Sequence, residues 1–328
     1  MSYRQTALPF SFLLIFSLAP ALGLAQSASQ DNYHPALTAW GHPDLQGVWD
    51  RRTITPLQRP ERFAGKAFLN ADEIAAYERA SAARDDGRPL DYGRAGISVH
   101  DPDDLDYGDS VLSTGQTSLI VDPPDGLIPA LTEAAKARAA ERAAYRASRG
   151  PADSWTDRSL TERCITWGIP GGMLPQAYNN NIQILQTPNE VLILNEMIHD
   201  IRIVPLDARP HLPASVRQWH GDPRGYWRGN TLVIESTNFS PKSSFRGAGE
   251  NLHLEERITR IDDGQLMYEF TVTDPDTWEQ PWSVSFPMTK AHQPIYEFAC
   301  HEGNHGLYNI LSVARNLEKQ ESGSQEGQ

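Results

Sequence analysis

From residue 180 onward the chain is built of short runs in which branched apolar residues alternate with polar ones, and turn residues break the runs apart. Such runs cover residues 181–187, 190–197, 200–206, 230–237, 252–260, 265–273, 282–288 and 295–300. A period of two puts successive side chains on opposite faces, so each run predicts a strand with one buried face. The breaks include Pro188-Asn189, Arg228-Gly229-Asn230 and Asp262-Asp263-Gly264, residues suited to tight hairpin turns. No helical pattern lies between these runs. Parallel neighbours would need crossovers, so the sheet is predicted to be antiparallel, closing as a barrel or folding as a sandwich.

The first half reads differently. Asn70, followed three residues later by Glu73, opens an alanine-rich helix to about residue 84. Residues 85–109 are rich in Asp, Gly and Pro without a period and predict a long loop. A second helix spans 132–148 and stops at Gly150-Pro151. The fold expected is therefore mainly β, a lipocalin-like barrel or sandwich with a few peripheral helices and long loops. The lipocalin comparison comes from Asp44-Leu-Gln-Gly47-Val-Trp49, whose Gly-x-Trp resembles the first strand of such barrels. After the strands, residues 306–316 look helical and the composition of 317–328 predicts a disordered tail.

The N-terminus changes the expected address. Arg4 supplies a positive charge, residues 7–24 form an apolar run broken by Pro9 and Pro20, and Gly23-Leu24-Ala25 offers small residues for cleavage. Residues 1–25 thus predict a cleaved secretory signal, leaving 26–328 as one domain with a loop- and helix-rich part (26–179) and a β part (180–316). The interrupted run is short for a span, and no later segment replaces it. The mature chain is expected to be periplasmic or secreted, off the membrane, and a homodimer is compatible with it. In an oxidising compartment the two cysteines, Cys164 and Cys300, predict a disulfide. Charge serves only to exclude: 42 Asp and Glu against 29 Lys and Arg give −13, which disfavours a nucleic acid partner.

Candidate chemistry sits in four polar clusters. Asn195-Glu196-Met-Ile-His199-Asp200-Ile-Arg202 lies at a junction of strands. In the second, His253, Glu255 and Arg257 share one face of a strand, which the alternation of Tyr268 and Phe270 on the next strand makes a candidate cavity wall. The third, Cys300-His301-Glu302-Gly303-Asn304-His305, contains His-Glu-x-x-His. That pattern binds zinc when both histidines share a helix face, but Gly303-Asn304 disfavour a helix, leaving His301 and Glu302 as acid, base or ligand. The fourth, from Trp219-His220-Gly-Asp222 to Trp227, reads as a turn with two packed tryptophans. Dinucleotide, phosphate-loop, Cys-x-x-Cys and Gly-x-Ser-x-Gly motifs are absent, so no organic cofactor is expected; a divalent metal on His301 and His305 stays open.

Several spaced blocks resemble a large family of exported bacterial proteins, mostly of unassigned function. They are Pro43 to Trp49, Gly225-Tyr-Trp227-Arg-Gly229-Asn-Thr231-Leu-Val-Ile-Glu235 running on to Phe239, Glu256-Arg257-Ile-Thr-Arg260, Asp274-Pro275 with Pro281-Trp282, and Cys300-His-Glu-Gly-Asn304. The resemblance implies that the position of His305 is usually aromatic and points loosely to lyases acting on aromatic compounds. The leading expectation is a cofactor-independent lyase or isomerase for a small hydroxylated or aromatic substrate. His199, Arg202, His253, Glu255, Arg257, His301 and Glu302 would supply acid, base and oxyanion stabilisation. The alternatives are a lipocalin-like binding protein with the same cavity, and a metal-dependent hydrolase on His301 and His305.

Overall fold

Alternation in sequence becomes inside and outside of a curled sheet. The computed structural model describes residues 33–82, 106 and 108–326; the expected signal segment and most of the loop over 85–109 lie outside the described residues. The chain divides into Met1–His34 and Pro35–Gln328, and the second unit holds every element named below. In order these are β1 (Gly47–Asp50), α1 (Ala71–Ala82), β2 (Ile120–Asp122), α2 (Glu133–Ala147), β3 (Asn181–Gln186), β4 (Glu190–Asn195), β5 (Ile201–Pro205), β6 (Asp222–Arg228), β7 (Thr231–Thr237), β8 (His253–Arg260), β9 (Gln265–Thr273), β10 (Trp282–Lys290) and α3 (His305–Glu326).

The ten strands form one antiparallel sheet in the order β5-β4-β3-β1-β10-β9-β8-β7-β6, with β2 paired to β10 beside the point where β1 leaves it. The sheet curls into a nearly closed barrel. Its edge strands β5 and β6 run the same way, because β5 opposes β4 and the antiparallel chain of pairings returns β6 in the direction of β5. No ladder pairing joins them. They meet instead by packing at Gly225, where a Cβ would come within 2.8 Å of Val204 and Leu206 side-chain atoms.

Inward residues follow the period of two: Ile182, Ile184, Val191, Ile193, Val204, Leu254, Ile258, Leu266, Tyr268, Phe270, Val284 and Phe286 are all buried. The interior is filled by side chains. Tyr268 contacts Phe286 with ring centroids 5.5 Å apart, Phe270 contacts Trp282 at 5.9 Å, and Trp282 contacts Trp278 at 5.6 Å. Edge-to-face geometry of this kind adds to the area that the rings bury.

Charge also enters the barrel. Arg202 of β5 and Glu256 of β8 are 3% and 0% exposed at their side chains and pair bidentately, with Nη2 donating to Oε1 at 2.9 Å and Nη1 to Oε2. Tyr268 donates its hydroxyl to the same carboxylate at 2.8 Å. Burial and Glu256 hold the Tyr268 phenol well above its usual pKa, and Glu256 keeps Arg202 charged against the cost of burial. Directly after β1, Arg51, also buried, donates to Leu174 O at 2.9 Å and to Asn195 Oδ1 at 3.4 Å. Desolvation pulls Arg51 down to about 10, opposed by Glu196, Tyr268 and Asp50.

Four elements depart from the pattern read in sequence, the first being β2, a short strand within the part expected to be loops and helices. Residues 295–300, expected as a strand, are irregular and bracketed by Pro294 and the tethered Cys300. β6 was hidden by Pro223 and Gly225, which argue against a central strand but are compatible with an edge. α3 continues to Glu326, so the segment expected to be a disordered tail is helical up to that residue; Leu317-Glu-Lys-Gln-Glu321 are good helix formers.

Replacing Glu256 by Gln strands the Arg202 charge inside the barrel. The expected loss is about 3–5 kcal/mol of unfolding free energy, read from urea melts. Replacing both Arg202 and Glu256 by Met should recover most of it.

Candidate functional site

The two ends of the barrel are unlike. By the antiparallel registers, β3–β4, β6–β7 and β8–β9 turn tightly at one end. At the other end lie the exit of β1, the entry to β3, the β4–β5 junction, the entry to β6, and the β7–β8 and β9–β10 connections. Chain left over from the hairpins thus collects at one mouth, where loops free of ladder constraints can shape a site. A cavity of about 1170 Å³ opens there, ample for a small ligand by the usual range of about 300–1,000 Å³.

Leu57, Leu119, Ile169 and Leu174 form its apolar floor, and Trp155, Trp167, Trp219 and Phe245 stand in its walls. Trp155 is 56% and Trp219 38% exposed. Phe245 stacks on Trp282 at 5.9 Å and so connects the wall to the barrel interior. Five basic side chains line the cavity as well: Arg146, Arg158, Arg163, Lys242 and Arg246.

The outer wall, residues 155–177, has little secondary structure and is held from outside. Cys164 and Cys300 form a disulfide with Cα atoms 5.7 Å apart, as two cysteines in an oxidising compartment predict. Asn304 donates to Glu162 O at 2.8 Å, Arg315 of α3 donates to Ala152 O at 2.9 Å and Asp153 O at 2.8 Å, and Arg149 holds Asp157 through two bonds of 2.8 Å. From beneath, Arg51 fixes the carbonyl of Leu174.

Three loops are joined at the cavity edge by Thr166, Asp200 and His220. Thr166 Oγ1 lies 2.8 Å from Asp200 Oδ2 and 2.8 Å from His220 Nε2. Having one proton, which it gives to the carboxylate, the hydroxyl accepts from Gly168 N–H at 2.8 Å and from the imidazole, which assigns the ring proton to Nε2. Trp167 N–H donates to Asp200 Oδ2 at 2.9 Å, and His220 Nε2 is 3.5 Å from that oxygen. Asp200 meets the same ring nitrogen as Thr166, so the trio is a triangle and not the linear relay of a nucleophilic triad. The backbone around it is strained: Cys164, Ile198 and His199 have φ of 53°, 58° and 44°. For a β-branched residue such as Ile198 that conformation persists only when its surroundings enforce it.

The residues singled out in sequence fall elsewhere. His199 is exposed and its Nδ1 lies 2.8 Å from Phe298 O. Arg202 is inside the barrel with Glu256. His253, Glu255 and Arg257 project from the outer face of β8, where Arg257 lies 3.8 Å from Glu255 and 3.9 Å from Glu269. The expectation that this face walls a cavity is corrected, because Leu254, Glu256 and Ile258 take the interior and a strand offers only two faces. His301 and Glu302 are exposed in the turn after the disulfide. His305 begins α3 while His301 precedes it, so the two histidines do not share a helix face as the zinc motif requires. None of these residues lines the cavity. Of the fourth cluster, Asp222–Arg228 is strand β6 and Trp219 lines the cavity.

Fold and cavity together define a nearly closed antiparallel barrel with a pocket of small-molecule size at its mouth. No protein-family model and no curated protein matches the chain. Among solved structures, a mutant of the fluorescent protein UnaG aligns with 34% of this chain and 72% of its own, at 15% identity and a TM-score of 0.23. That score is too low to bear on the architecture, which rests on the strand registers themselves.

Replacing Cys164 and Cys300 together by Ser removes a cross-link between residues 136 apart. The chain-entropy relation puts its contribution at about 5 kcal/mol. Melts of the double variant and of reduced wild-type protein should agree in a lowered midpoint.

Proposed function

We propose that the protein binds a small aromatic molecule in the mouth cavity, as an exported carrier or receptor of the lipocalin-like kind. The observation that carries this reading is the half-open aromatic wall. Large rings normally bury most of their surface, yet Trp155 and Trp219 stand exposed around a cavity with an apolar floor. A flat apolar ligand would cover that surface, while the side-chain carbonyl oxygen of Gln176, whose amide nitrogen is held by Gly171 O and Leu174 O, can accept an orienting hydrogen bond. The exported address, and membership of the exported bacterial family that the spaced blocks resemble, belong to the same proposal. The disulfide agrees with an oxidising compartment, and among the described residues no helix is long and apolar enough to cross a membrane.

An acid–base enzyme, such as the lyase that the resemblance implies, is the second reading, and one observation favours it. His220, Asp200 and Thr166 gather at the cavity edge and are titratable or polar. Elimination would need more, namely an acid and a base converging on the ligand. The seven residues first expected to supply them lie away from the cavity, so binding without chemistry is the better supported of the two.

Intrinsic tryptophan fluorescence titrated with a panel of aromatic compounds tests the first reading. Saturable quenching is expected, and Trp155→Ala should weaken binding by about tenfold, on the order of 1–2 kcal/mol for one lost stacking partner. Unchanged affinity in that variant would place the ligand elsewhere. For the second reading, His220→Gln should abolish any turnover found with the same panel while leaving binding in place.

A further inference from the structure

We infer that the ligand of this cavity carries an anionic oxygen group beside its ring system, a carboxylate or phosphate held by Arg163, Lys242 and Arg246. The inference rests on the aromatic-binding reading above and adds the charge of the ligand.

The lining is the opposite in charge of the rest of the chain. Acidic residues outnumber basic ones 42 to 29 overall, yet the cavity is lined by five basic side chains and by no Asp or Glu. Arg158 is already paired with Glu162. For Arg163, Lys242 and Arg246 no carboxylate partner occurs among the described residues. Two of the three are placed over the walls: the Arg163 guanidinium is 4.5 Å from the Trp155 ring centroid, and that of Arg246 is 5.8 Å from the Phe245 ring.

A guanidinium above an aromatic ring keeps its donor edge free, and that edge matches the two oxygens of a carboxylate or phosphate. Ring and cation side by side suit a ligand with the complementary pair, a flat apolar body and an acidic group. The cavity also disfavours the Arg246 charge: partial desolvation at the rim lowers its pKa and no acid opposes the shift. An incoming anion would supply the missing partner. Lys242 and Arg246 follow β7 in the β7–β8 connection and Arg163 belongs to the disulfide-held wall, so the cations face the ligand from two separate segments. A neutral aromatic ligand accounts for the tryptophans and leaves these cations unexplained.

Calorimetric titration with three probes on one ring system provides the test: naphthoate, naphthyl phosphate and the neutral naphthalenemethanol. At low salt at least one anion should bind wild-type protein about tenfold or more tightly than the alcohol, the factor that one partly desolvated ion pair supplies. Raising the salt should shrink that advantage. The double variant Lys242→Gln/Arg246→Gln should lose it, bringing the anions down to the affinity of the alcohol measured on the same variant; both side chains are exposed, so the fold is expected to survive, and a melt checks this. Arg228→Gln, at the hairpin end of the barrel, should change nothing. If the alcohol binds as well as both anions and loses affinity in Trp155→Ala, the anionic ligand is ruled out and the aromatic site stands. If the double variant keeps the anion preference, these cations are not its cause and the assignment fails. If no probe binds, the aromatic reading falls too.

Discussion

The curled sheet depends on an ion pair that crosses its interior. Arg202 comes from one edge strand and Glu256 from the far side of the sheet, and they meet with both oxygens and both terminal nitrogens engaged. Such a pair in a dry interior offers little net stability over apolar side chains of the same volume. Its other property is geometric: a bidentate contact is satisfied in one relative placement of β5 and β8 only. With β5 and β6 unjoined by a ladder, that placement sets how far the sheet rolls. Tyr268 fixes the carboxylate from β9, so three strands share one polar knot inside a mainly apolar core.

Most of the β architecture is legible in the alternation of residues because a strand with one buried face must write its period into sequence. The legibility fails where other constraints overrule the period. β6 carries Pro223 and Gly225 because it is an edge that must pack closely on β5. In β8 the interior takes Glu256, a residue that alternation alone assigns to neither core nor partner, and its charged neighbours Glu255 and Arg257 turn outward. An inward carboxylate becomes readable only when its cation, on a strand 54 residues earlier, is known to lie opposite.

The cavity was less legible than the barrel, for a reason visible in where its residues come from. The blocks that resemble the exported family map onto β1, the β6–β7 hairpin, β8, the β9–β10 connection, the start of β10 and the turn at Cys300. No residue of those blocks lines the cavity. They specify the scaffold. The lining comes from irregular connections, where Trp155, Arg163 and Thr166 follow no period and their meeting with Trp219, Lys242 and Arg246 is a matter of tertiary placement. The signal that could have been noticed is local charge: residues 142–163 hold several arginines within an acidic chain. The disulfide, by contrast, was readable at once, since two cysteines have one possible partner each.

The seam between β5 and β6 has a meaning for the chain's dealings with its neighbours. An open sheet presents two unpaired edges, and each is a template on which another polypeptide can add a strand. Here Ile201 and Ile203 already make the outer face of β5 apolar, at 51% and 50% exposure, which would make that edge adhesive. Parking β5 against β6 hides both edges at once, and it is the missing side chain of Gly225 that lets them lie together. A single methyl group at that position would act as a wedge between β5 and β6, leaving the sheet with two sticky borders and a tendency to grow by strand addition.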